Sequence, residues 1–229
     1  MTTTVDQRVV ARDASRQLEN STAQEIMTWA YEEFGSGLVV TSSLADTVII
    51  HLAEQVAPGI DVIFLDTGYH FVETIGTRDA VAAVHNVNLI SVSPDQTVAE
   101  QDATWGKDLF VRDPDQCCAL RKTQPLDRVM KGYTAWASGI RRADSPARAK
   151  TPIVSWDSRR QLIKISPIAK WSDQEVADYV EKNSLMVNPL LHDGYTSIGC
   201  APCTSLPVPG DPRSGRWAGL ARTECGIHE

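Results

Sequence analysis

Five cysteines stand at positions 117, 118, 200, 203 and 225 of a 229-residue chain. Cys200 and Cys203 lie in "GCAPC", a spacing at which two thiolates can share one metal centre, with Pro202 stiffening the turn between them. The same spacing serves a thioredoxin-type redox pair. Cys117 and Cys118 are adjacent, in "DQCCALRK". Tetrahedral zinc usually takes its ligands from two spaced pairs. A [4Fe–4S] cube has irons at separate corners and accepts neighbouring side chains more readily, so the vicinal pair favours the cube over structural zinc. Arg121 and Lys122 follow at once, and cations so close offset the negative charge of a four-thiolate cluster.

Cys225 stands apart, in "ARTECGIHE". The adjacent Glu224 disfavours a thiolate, so a nucleophilic Cys225 has to enter a basic pocket. Lys122, Arg141, Arg142, Arg148, Arg213 and Arg216 are the candidates for that pocket. An arm that visits a pocket suits a transfer reaction in which the bound group must later meet another protein.

The elements that position these residues follow from the apolar pattern. "GLVVTS", "DVIFLD" and "NLISVS" are short apolar runs, and helical spacing fills the segments between them. Strand and helix alternating at this rhythm predict an α/β domain with a mostly parallel sheet and crossover helices. "YTAWASGI" and "QLIKISP" read as later strands, with the polar, basic "RRADSPARAKTP" as a loop between them. Capping boxes are expected at Ser21 with Gln24 and at Ser172 with Glu175. Pro125 should break or kink the helix that carries the vicinal cysteines. One domain is expected over residues 21–203, after a polar leader without fixed structure over 1–20 and before a flexible, Pro- and Gly-rich arm over 204–229.

Ligands of open parallel sheets bind beyond the C-terminal ends of the strands. "TSSLADT" with Ser42, Ser43 and Asp46, "LDTGYH" with Asp66, and "SGIRRADSPAR" with Arg141, Arg142 and Arg148 should meet there. Singly, each reads as a helix start, a turn cap or a solvated pair. On one edge they favour a nucleotide or phosphate site. Neither GxxxxGK[ST] nor GxGxxG after the first strand is present.

A net charge of −7 argues against a general nucleic-acid surface, and no apolar run approaches a membrane span. The first twenty residues carry no apolar signal core, so the cytoplasm, where thiols stay reduced, is the expected location. Homo-oligomerisation is left open.

"CCALRK", "GYTSIGCAPCT" and "TECGIH" resemble the cluster motifs and the C-terminal catalytic motif of the assimilatory sulfonucleotide reductases, in particular the iron–sulfur adenylylsulfate (APS) reductases. "SSLADTVIIHL", "LDTGYHFVET", "WASGIRRADSP" and "WSDQEVADYV" match the same pattern, so the resemblance spans about residues 38–228. It implies an adenine-nucleotide α-hydrolase-like fold with a modified PP-loop. "TSSLADT" has no glycine where an ATP-cleaving PP-loop has two, which suits a phosphosulfate better than pyrophosphate. The resemblance further implies reduction of APS to sulfite and AMP in sulfate assimilation, with thioredoxin or glutaredoxin as reductant. It makes Cys117, Cys118, Cys200 and Cys203 ligands of a [4Fe–4S] cluster and Cys225 the nucleophile. Lys122 then lies between cluster and substrate. Arg121, Arg148, Arg213, Arg216 and His228 match basic positions of the substrate site, His228 with a catalytic role. Relatives acting on 3′-phosphoadenylylsulfate (PAPS) typically lack the four cluster cysteines, so reduction of PAPS, or of both substrates, is the nearest alternative. A PP-loop RNA-thiolation enzyme would need an intact ATP loop and a basic RNA face. A non-catalytic zinc or iron–sulfur module would have no use for a reactive tail cysteine.

Overall fold

Leu38 and Val40 of the first strand enter one core layer and Val39 enters the other, the two-residue alternation of a strand buried on both faces. The structure is a computed structural model that describes residues 6–218, 224 and 226–228. Its strands are β1 (Leu38–Thr41), β2 (Asp61–Leu65), β3 (Asn88–Val92), β4 (Ala135–Ser138), β5 (Val154–Asp157) and β6 (Leu162–Ile165). They form one sheet in the order β3-β2-β1-β4-β6-β5. Every neighbouring pair is parallel except β5 with β6.

The helices are α1 (Gln7–Leu18), α2 (Ala23–Phe34), α3 (Val48–Val56), α4 (Val72–Val84), α5 (Val98–Trp105), α6 (Leu109–Arg112), α7 (Pro114–Cys118), α8 (Gln124–Met130) and α9 (Asp173–Lys182). Apolar residues of α1, α2 and α3 pack on one face of the sheet, and Leu126 and Met130 of α8 pack on the other. From β1 the chain moves to β2 and β3 on one side, and β4 then lies on the other side of β1. The crevice beyond the ends of β1 and β4 is therefore a topological switch point, where such sheets bind ligands. Among the described residues no helix is long and apolar enough to cross a membrane.

Three local expectations are corrected. Residues 7–18, read as part of a structureless leader, form α1, capped by the Asp6 carboxylate, which accepts from the Arg8 N–H. Ala11, Ala14 and Leu18 give it a narrow stripe of mostly small residues against the core. Ser15 on the same helix accepts a hydrogen bond (3.3 Å) from the Val154 N–H on the edge strand β5, so α1 shields an otherwise open sheet edge. The capping box of α2 is Thr22 with Glu25, one residue beyond Ser21 and Gln24, whereas the Ser172–Glu175 box of α9 forms as expected. The segment after the basic loop contains a further strand, β5, beyond those marked by apolar runs. Pro125 does not break its helix, because residues Ala119–Thr123 widen into a π turn ahead of it. That widening accommodates the missing N–H and keeps residues 114–130 continuous.

Candidate active site

Helix α7 and the π turn present Cys117, Cys118, Arg121 and Lys122 on one short stretch, all of them buried. A 3-10 turn, Ala201–Cys203, presents the other cysteine pair. Cys117, Cys118, Cys200, Cys203 and Lys122 line one small cavity, together with Tyr69 and Pro114. Burial, followed by the neighbouring thiols, pushes Cys117 up to about 12 and Cys203 up to about 11. Lys122 and Arg216 pull Cys203 the other way but do not prevail. At Cys117 and Cys203 the protonated thiol is favoured, and a thiol must give up that proton to become a metal ligand. Among the described residues no group of three or more His, Cys, Asp or Glu is disposed to hold a single metal ion.

Gly199 shows how this cavity joins a basic surface. A Cβ at Gly199 would stand 2.2 Å from Arg216 Nη2, so the guanidinium lies directly against the backbone of the cysteine loop. Arg216 Nη1 donates to the Ile198 carbonyl (3.2 Å) and to Ser197 Oγ (3.3 Å), and the group stacks over the Trp217 ring at 4.5 Å. The Trp217 N–H donates to the Cys203 carbonyl (3.0 Å), and Thr204 bridges to Arg216. Residues 204–217, expected as the start of a flexible arm, thus fold back onto the cysteine loop.

The end of the chain enters the same basic region. The Glu224 carboxylate accepts from Arg148 Nη2 (2.6 Å) and Nε (2.9 Å), and Arg213 Nη2 lies 3.5 Å away. Burial opposes the charge on Glu224, but Arg148 and then Arg213 outweigh it and hold the carboxyl below its usual range. Arg160 Nη1 donates to the Ile227 carbonyl (3.0 Å) and Lys164 Nζ to the His228 carbonyl (3.2 Å). The His228 ring stacks on the fully buried Trp136, with its Nδ1 shut off from solvent. Burial, then the cations Lys164, Arg148, Arg160 and Arg213, lower the His228 pKa well below its ordinary value. Burial likewise draws Lys164 down to about 8. Cys225, the expected nucleophile, lies outside the described residues.

The remaining expected site residues are engaged in other ways. Arg142 forks onto Glu19 (2.7 and 3.0 Å) and donates to the Thr151 carbonyl, fastening the end of α1. Arg121 is buried against the turn after β2, where it donates to the Thr67 carbonyl and to Gln101 Oε1. Gly68 in that turn has φ +72°, and a Cβ there would meet Arg121 Nη2 at 3.0 Å. Asp66 caps the same turn at the Gly68 N–H and pairs with Arg78. Ser42 Oγ accepts from the Leu44 N–H, and Asp46 accepts from the Val48 N–H at the start of α3, where burial raises its pKa. Ser43 stays exposed on that loop. Arg141 pairs with Asp173 and Asp144, and Asp144 also meets Arg148, so Arg141 is one carboxylate removed from the basic cluster. Trp136, Arg160 and Lys164 join the site only through the fold. Arg160 lies in the turn between β5 and β6 and Lys164 lies within β6, and the basic run "SRRQLIK" is the sequence signal for them.

Residues 37–206 match the phosphoadenosine phosphosulfate reductase domain. The chain belongs to that family. An adenosine 5'-phosphosulfate reductase of Streptomyces coelicolor is 57% identical over 227 residues, covering 99% of this chain and 96% of that protein. The protein of that name from Mycolicibacterium smegmatis is 54% identical over 222 residues, covering 96% and 94%. A crystal structure of phosphoadenylyl-sulfate reductase from Candida auris, a phosphate complex, superposes with a TM-score of 0.76 at 28% identity, covering 85% of this chain and 96% of that one. The FMN adenylyltransferase of Candida glabrata, at a TM-score of 0.56 and 13% identity, shares the fold. In this member of the sulfonucleotide reductase family the sheet, the cysteine cavity and the basic cluster all lie within one domain.

Proposed function

We propose that the chain reduces adenosine 5′-phosphosulfate to sulfite and AMP, with thioredoxin or glutaredoxin supplying the electrons. The observation that carries this reading is the adjacency of two features. Four cysteines line one cavity with Lys122, and the loop bearing two of them is pinned by Arg216, which belongs to the same basic region as Arg213, Arg148 and Glu224. The tail containing Cys225 therefore ends among cations that can receive a phosphosulfate.

Cys117, Cys118, Cys200 and Cys203 would hold a [4Fe–4S] cluster. When bound, it would supply a fixed centre of charge that ties the two cysteine segments together and sets the field at Lys122. Arg148, Arg213, Arg216 and Lys122 bind the phosphate and sulfate oxygens. The Cys225 thiolate attacks the sulfur of the sulfate group. The bond from that sulfur to the bridging phosphate oxygen breaks, and AMP leaves with the electron pair. The same cations balance the charge that moves onto the leaving phosphate. A thioredoxin thiolate then attacks Cys225 Sγ, and sulfite departs with the pair of the S–S bond. The second thioredoxin thiol breaks the mixed disulfide, restoring the Cys225 thiol and leaving thioredoxin oxidised.

Reduction of PAPS is the second reading, favoured by the likeness to the Candida auris protein. Sulfite release from APS and PAPS in parallel, with reduced thioredoxin, decides between them. A kcat/KM ratio near one, or one favouring PAPS, overturns the preference stated here.

A further inference from the structure

The Nε and Nη2 edge of the Arg148 guanidinium is taken by one carboxylate. Its Nε and Nη2 hold the Glu224 carboxylate at 2.9 and 2.6 Å, and its Nη1 holds Asp144 at 3.0 Å. Ser145 Oγ adds a 3.3 Å contact to Glu224, and the glutamate side chain is only 15% exposed. One such edge takes one carboxylate, sulfate or phosphate in this bidentate manner at a time. The other holds on the tail are of a different kind. Ile227 and His228 are bound through backbone carbonyls to Arg160 and Lys164, and His228 stacks on Trp136. An incoming anion competes directly for Arg148 but has no carboxylate to replace at residues 227 and 228.

We infer that Glu224 is an internal stand-in for a substrate oxyanion: it occupies the Arg148 fork until a phosphate or sulfate group displaces it. The described residues near the C-terminus thus have one exchangeable anchor, Glu224, and one permanent anchor, Ile227 with His228. Glu224 is a positioning residue, since it acts through Arg148 and through the tail. This rests on the substrate class proposed above.

The test uses cluster-loaded, full-length protein and measures binding without turnover. AMP and inorganic sulfate are titrated separately into wild type, Glu224→Gln and Glu224→Ala by calorimetry, with thermal unfolding as the control for folding. Removing the competing charge is expected to tighten binding about tenfold. A gain for AMP alone places Glu224 at the phosphate position, a gain for sulfate alone at the sulfate position, and a gain for both at a fork shared by the two. Unchanged or weakened binding of both anions in both variants overturns the inference. In wild type, AMP should leave residues 226–228 protected from hydrogen exchange, and their release would overturn the two-anchor arrangement. Steady-state kinetics of Glu224→Gln should show a lowered KM for APS without a raised kcat, a split that a purely structural role would not give. If wild-type protein releases no sulfite from APS, the proposed activity fails, while the binding competition is still read from AMP and sulfate.

Discussion

His228 lies flat on Trp136, with ring centroids 5.5 Å apart and ring planes 8° apart. Lys164 and Arg160 face the same indole at 5.1 and 5.5 Å, and Arg148 and Arg213 add positive charge nearby. The docked imidazole is therefore held neutral, with its pKa well below the ordinary value. An undocked tail takes up a proton near pH 6.5, whereas the docked tail resists it. Docking is then fully favourable above about pH 6.5 and weakens as the pH falls below it, by at most about 1.4 kcal/mol per unit. Hydrogen exchange of the C-terminal peptide, corrected for the intrinsic rate, should show protection at pH 7.5 that declines towards pH 5.5. His228→Phe should keep the stack and flatten that dependence.

The cysteine cavity makes a compositional prediction. Purified without oxygen, the protein should be brown and carry about four irons per chain, as four thiolates on one cube imply. Cys117→Ser and Cys203→Ser should each lose the visible absorbance and most of the iron. A colourless, active protein with one zinc per chain would falsify the cube.

Cys225→Ser should retain iron and AMP binding yet release sulfite at least about a thousandfold more slowly, because a serine hydroxyl is barely ionised and a poor nucleophile toward sulfur. Wild-type protein mixed with APS and no reductant should gain one SO₃ on the peptide containing Cys225, and thioredoxin should remove it. An adduct on the peptide of Cys200 and Cys203 would instead assign the chemistry to the C-x-x-C pair.

Gly199→Ala places a methyl group 2.2 Å from Arg216 Nη2, too close for either to stay. Arg216 is the flexible partner and should be driven off the Ile198 carbonyl. Overcrowding of this kind costs about 1–3 kcal/mol. The melting temperature should fall and the KM for APS should rise, with the second effect absent from a variant of comparable stability remote from the site.

Arg142→Ala separates a strut from a ligand. Its partner Glu19 is 37% exposed, so the lost ion pair should cost no more than about 1 kcal/mol. Thermal unfolding should shift slightly while kcat/KM for APS stays at the wild-type value. A large rise in KM would return Arg142 to the substrate pocket.

Local rules were enough to read much of this chain. The buried runs of β1, β2 and β3 carry their own period, and the Ser172–Glu175 box closes within four residues. The two cysteine pairs stand out by spacing alone, and the fold adds that all four line one cavity. β5 escaped because "VSWD" is short and half polar, and it is recognisable only once β6 lies beside it. α1 escaped because its buried stripe is mostly alanine, a weak hydrophobic signal that becomes decisive only when β5 needs a cover. The basic residues show the limit most clearly. Arg142 and Arg148 sit in one loop and look equivalent in sequence, yet one fastens Glu19 and the other receives Glu224, 76 residues away. A charge takes its role from the nearest opposite charge, and that neighbour is brought by tertiary packing, not by sequence distance.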